Sequence, residues 1–161
     1  MIDAAYAIRH NAWATRRLLA HAATLTSAQL ESTVSGTAGS VRYCLAHIVS
    51  ADQRYLMRLG IQPSVPLRET DDADLATIAA AHEQNERAWE RLLADPPDLD
   101  GWITVRDGRV RGPVLPAQAI HHGTDHRTQV GTILLHHGLE LPDLDVWTYA
   151  AEIGDGEYQS R

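Results

Sequence analysis

The 161-residue chain has one cysteine, Cys44, no phenylalanine and no lysine, so that all fourteen basic residues are arginines. A single cysteine excludes an internal disulfide and any cysteine-built zinc site, and a metal would have to rest on histidine and carboxylate. The absence of lysine excludes Schiff-base and Ser-Lys mechanisms. It also accompanies abundant alanine, the bias that GC-rich coding produces. No apolar run approaches the ~20 residues needed to cross a bilayer, and Arg9, Arg16 and Arg17 interrupt the segment a signal peptide would keep apolar. The cytoplasm is the expected compartment. A net charge of −7, with no basic cluster beyond pairs such as Arg16-Arg17, argues against nucleic acid as a partner.

What is present is helix. From residue 2 to 23, Ala4, Ile8, Ala12, Thr15, Leu19 and Ala22 step by three and four, the period of an amphipathic helix. Thr26 and Gln29 have capping-box spacing for one short turn, and the Gly- and Ser-rich "STVSGTAGS" reads as a loop. Ser40 caps a second long helix through "VRYCLAHIVSADQRYLMRL", which stops at Gly60. The ten residues "IQPSVPLRET" read as a connection too short to divide two cores. Asp71, Asp72 and Asp74 suit the positive end of a third helix, with the stripe Leu75, Ile78, His82, Asn85, Trp89, Leu92, reaching about Ala94 before "DPPD". Asp107-Gly108 inside "WITVRDGRVRG" predicts a hairpin turn. Pro116 suits the first turn of a fourth long helix that ends at Gly138, and the tail has room for a short helix. The expectation is an all-α, single-domain four-helix bundle over residues 1–161, with a small β-hairpin before the last long helix.

Five of the nine histidines fall within "HHGTDHRTQVGTILLHHG", residues 121–138. His122 and His126 lie one helical turn apart, so both imidazoles can reach one cation. With this many histidines about half such a pair arises by chance, so the pair is weak alone. Gln129 and Ile133 continue the stripe into apolar helix, where imidazoles need partners. A third ligand must come from another helix. His47, with Tyr43, Cys44 and Ala51 on its face, is the leading candidate, and a core histidine bonded to a carbonyl is its equal alternative. His82 is the rival, although Glu83 and Glu86 suggest a half-exposed side chain. His136 and His137 suit a helix end, His121 faces away from His122, and His10 and His21 have no paired spacing. There is no His-Glu-x-x-His, Cys-x-x-Cys, Glu-x-x-His, glycine-rich phosphate loop or Gly-x-Ser-x-Gly elbow.

The run "GRVRGPVLPAQAIHHGTDHRTQVGTILLHHG", with "VRYCLAHIVSAD", "IRHNAWATRRLL" and the ending "DLDVWTYA", resembles the DinB family of the DinB/YfiT-like metalloenzyme superfamily over nearly the whole chain. The resemblance implies a four-helix bundle, commonly a homodimer, holding a divalent metal, often zinc or nickel, on His47, His122 and His126. It departs from the family at Thr128, where many relatives have glycine, which bears on local packing rather than on the ligands. It further implies a metal-dependent enzyme that activates a low-molecular-weight thiol, of the mycothiol or bacillithiol kind, for S-transfer or isomerisation on a small electrophile. Three histidines with an open fourth position are the arrangement of a catalytic rather than a structural site. Gln129 and Asn11 are candidates to contact ligands or substrate, and Arg127 to anchor a carboxylate or an interhelical pair. The alternative is a non-catalytic, metal- or ligand-binding stress-response protein in which the metal is structural or sensory. Direct action on DNA conflicts with the negative charge.

Overall fold

The computed structural model describes residues 4–64, 66–68 and 72–157; Asp71 and residues 2–3 of the expected first helix lie outside them. In chain order the elements are α1 (Ala4–Ala22), α2 (Ser27–Leu30), α3 (Val41–Arg58), α4 (Leu75–Ala94), β1 (Trp102–Val105), β2 (Gly108–Arg111), α5 (Val114–His136) and α6 (Val146–Ile153). Starts are set by local chemistry. Thr26 and Gln29 form the reciprocal capping box, while Ser40, Asp74 and Asp145 each accept from a backbone N–H of the first turn. Past α3 and α5 the chain turns through Gly60 and Gly138, at φ of 90° and 68°, a region glycine enters without steric cost.

Side-chain pairs fix the helix directions. Arg9 meets Glu90 and Arg16 meets Glu86, so α1 and α4 are antiparallel. Asn85 donates to the Val49 carbonyl and Trp89 to Asp52, so α3 and α4 are parallel. Ile8 clusters with Ala119, and Leu18 with Val130 and Ile133, so α5 runs with α1 and against α3. Two consecutive helices that are parallel neighbours require the chain to return along the bundle between them. The proline-bearing connection is therefore a crossover. It is held by Leu67, which is buried and takes Gln53 Oε1 on its backbone N–H, and by Ser64, bonded to Gln84.

The hairpin forms where expected, but its turn falls one residue earlier. Val105 pairs with Gly108, leaving Arg106 and Asp107 as the turn, and no described non-glycine residue has a positive φ. Cross-strand packing wins over the Asp-Gly signature: Trp102 lies opposite Arg111 and Ile103 opposite Val110, and the guanidiniums of Arg109 and Arg111 sit 4.7 and 4.4 Å from the Trp102 ring centre.

The core is layered. One apolar cluster joins Leu18, Val41, Leu45, Ile78, Val130 and Ile133, and a second joins Ile8, Leu56, Ala88, Trp89 and Ala119. Between them lies a waist of buried polar side chains: Asn11 and Thr15 of α1, Asp52 of α3, His82 and Asn85 of α4, and Arg127 of α5. No described helix is long and apolar enough to cross a membrane.

Candidate metal centre

The waist carries the site on its α3–α5 side. His47 sits in the middle of α3, and the antiparallel α5 presents His122 and His126, one turn apart, against it. The Nε2 atoms of His47 and His122 are 3.0 Å apart. The His126 ring centre lies 4.4 Å from that of His47 and 4.5 Å from that of His122. One nitrogen from each ring falls within a 4.8 Å span, and this is the one potential metal-ligand group found among the described residues. Aromatic neighbours limit two of the rings: Tyr43, one turn before His47 on α3, stacks on it at 14°, and Tyr55 meets His122 edge-on.

The electrostatics favour lone pairs over protons. Burial, then the neighbouring His126 and His47, push the His122 pKa down to about 4, so its ring is neutral at pH 7. Two Nε2 atoms at 3.0 Å either share a proton or face a common cation. A tetrahedral zinc with nitrogens at ~2.0–2.1 Å would set its donors about 3.3 Å apart. The 3.0 Å pair and the 4.8 Å overall span bracket that separation, and imidazole ligands suit zinc, nickel or copper. The residues present fit a divalent cation, leaving a fourth position for another ligand.

His82, the rival third ligand, takes no part. It is 4% exposed, which corrects the half-exposed side chain expected from Glu83 and Glu86. Glu83 turns outward on α4, whereas the partly buried Glu86 pairs with Arg16 of α1 and sets its Oε1 3.8 Å from His82 Nε2; His82 itself keeps to the inward stripe with Ile78, Asn85 and Trp89. Burial lowers its pKa to about 4, and its neutral ring donates from Nε2 to the Ala12 carbonyl at 3.0 Å.

The other candidates spread out. Arg127 is buried and donates to Asn11 Oδ1 at 2.7 Å, to Thr15 Oγ1 at 3.0 Å and to Thr124 Oγ1 at 3.1 Å, an interhelical clasp between α1 and α5. Desolvation lowers its pKa to about 10, which leaves it charged at pH 7. Asn11 thus serves Arg127 and also borders a small cavity shared with His122. Gln129 reaches away, its Oε1 accepting from the backbone N–H of Ala38 in the loop before α3. Thr128 is exposed and bonds its hydroxyl to the Thr124 carbonyl within α5, so its replacement of glycine disturbs no packing. His10 bonds to the Leu144 carbonyl, His121 is exposed, and His136 and His137 meet edge to face at the end of α5.

Sequence reasoning passed over Asp52. It interrupts the apolar stripe Leu45, Ile48, Val49, Leu56 at helical spacing, and a charged residue in such a stripe was the signal that could have exposed it.

A helical bundle with three imidazoles converging from two helices defines a class, that of histidine-centred four-helix bundles. The sequence model of the DinB family matches residues 1–157, and the chain belongs to that family. Its fold is similar to the crystal structure of a DinB-like protein from Bacillus cereus ATCC 10987, with a TM-score of 0.69 and 20% identity, covering 83% of this chain and 90% of that one. No curated protein matches the chain.

Proposed function

We propose that the protein is a metal-dependent enzyme in which His47, His122 and His126 hold a divalent cation, zinc or nickel, and that it activates a low-molecular-weight thiol for S-transfer or isomerisation on a small electrophile. The observation that carries this reading is the convergence of the three rings, with Nε2 of His47 and His122 at 3.0 Å. A cation held by three neutral ligands keeps its full charge and one open position, and so lowers the pKa of a thiol or water placed there.

The chain's own part is to present the three ligands together and to hold them still. The depressed pKa of His122 leaves that ring neutral and ready to ligate at neutral pH, and the Tyr43 and Tyr55 rings restrict His47 and His122. The chain offers no nucleophilic thiol of its own: Cys44 is buried, and desolvation pushes its pKa up. A thiol substrate therefore has to come from solution, as the family resemblance implies, of the mycothiol or bacillithiol kind. The proposal extends to a homodimer in the cytoplasm, which sedimentation and fractionation would check.

Chelation tests the catalytic reading against a structural or sensory metal. Removing the metal should abolish conjugation of a small thiol to an electrophile while shifting the melting temperature by no more than a few degrees. A protein that unfolds on chelation, or that conjugates thiols equally well without metal, would contradict it.

A further inference from the structure

The bundle is not closed beneath His122. A cavity of about 10 Å³, the size at which one water molecule fits, is bordered by Asn11 of α1, Asp52 and Tyr55 of α3, His82 and Trp89 of α4, and His122 of α5. Dry cavities in proteins are apolar, whereas this one is reached by polar side chains from all four long helices. Two of them already have partners in the waist: His82 donates to Ala12 and Asn11 accepts from Arg127. Asp52 differs. It is 9% exposed, both its oxygens accept from Trp89 Nε1, at 2.9 and 3.1 Å, and the Asn85 amide is its other hydrogen-bonding neighbour. A carboxylate has about four lone-pair sites, so it retains capacity for a further donor.

We propose that Asp52 is a positioning residue of the three-histidine centre, holding the His122 imidazole through a water molecule in this cavity. The inference rests on the reading of the three histidines as a metal site. A metal-ligating histidine donates its second ring N–H to a carboxylate, carbonyl or water, which fixes the ring and its tautomer and raises its basicity. The Nε2 of His122 faces His47, which leaves Nδ1 as the nitrogen for that bond. One bridging water spans the gap at little enthalpic loss. The charge balance agrees. Burial pushes Asp52 up to about 7 against the pull of Trp89, Asn85 and Arg127, so a cation at the centre would favour its ionised, accepting form. The groups around it are Tyr55 on its own helix, His82 from α4, His122 and Arg127 from α5, and the neutral Asn11 and Thr15 from α1.

The test uses Asp52→Asn, which keeps an acceptor for Trp89 and the side-chain size. Zinc affinity is measured by competition with a chromophoric chelator for wild type, Asp52→Asn and His126→Ala, beside the ¹⁵N shifts of the His122 ring in the metal-free proteins. The expected result is a roughly 10- to 100-fold loss of zinc affinity in Asp52→Asn, with a changed His122 tautomer signature. Wild-type affinity and unchanged His122 shifts in Asp52→Asn would overturn the positioning role alone. A wild type that binds zinc no better than His126→Ala would overturn this role and the metal reading together. A crystal structure of the wild type checks the same point whether or not the variant folds: a water bonded to both Asp52 and His122 is expected, and its absence from a well-ordered cavity would overturn the proposal.

Discussion

Two sides of the polar waist put similar residues to opposite uses. On the α1–α4 side, His82 donates to the Ala12 carbonyl, Asn85 ties α4 to the Val49 carbonyl of α3, and Arg127 reaches across from α5 to bond Asn11 and Thr15. On the α3–α5 side, His47, His122 and His126 point their nitrogens at one another. The first side is internally complete and supplies packing and registry. The second is a set of half-buried imidazole nitrogens close enough together to share one cation. A buried histidine is thus structural or functional according to what its ring meets across the helix interface, not according to its own helix.

The contrast can be broken hardest at the closed side. Arg127→Ala would leave the buried oxygens of Asn11 and Thr15 without their donor and open a cavity, costing roughly 3–4 kcal/mol. Urea denaturation of the metal-free protein measures it. Next comes Gly123→Ala: an added Cβ would stand 2.6 Å from Asn11 Oδ1 and 2.8 Å from Arg127 Nη1. That overpacking should cost about 1–3 kcal/mol, while the three histidines are spared. His82→Ala sharpens the comparison, since it should lower stability by roughly 2–3 kcal/mol and leave zinc stoichiometry at one per chain. If His82→Ala loses the metal with its fold intact, the two sides are not distinct.

The pH response separates the waist's acid from its base. The folded pKa of His82, about 4, lies below its ordinary 6.5, so the unfolded chain binds the extra proton and stability falls as pH drops from 6.5 towards 4. Asp52, at about 7 against 3.8, works the other way: its contribution is fully present below 3.8 and is lost as pH rises through 7. Between pH 4 and 6.5 the two oppose. Asp52→Asn should therefore make the metal-free protein lose stability more steeply on acidification, which melts across that range will show; an unchanged slope would mean that Asp52 is not held protonated. The smallest effect is expected at Gln129→Ala, about 1 kcal/mol from the lost bond to the loop at Ala38, with metal binding intact.

Local features were legible in the sequence. The caps at Thr26, Ser40 and Asp74, the long helices and the His122–His126 spacing all depend on residues within one turn of each other. What could not be read depends on neighbours distant in sequence. His47 and His82 both interrupt apolar stripes, and only the helix directions decide that α5 faces the first while the Ala12 carbonyl faces the second. The family resemblance, not spacing, selected His47. The hairpin turn slipped by one residue because Trp102 and Ile103 chose their partners across the strands. The parallel α3–α4 pair was hidden for the same reason, since a proline-rich connection does not state how far it travels.

The central claim is that one cation sits between α3 and α5. Crystals grown with zinc and measured at the zinc absorption edge test it most directly. A single anomalous peak is expected at roughly 2.0–2.2 Å from one nitrogen of each of His47, His122 and His126, with no comparable peak at His82. A peak bound instead at His136 and His137, or none between the three rings at saturating zinc, would contradict it.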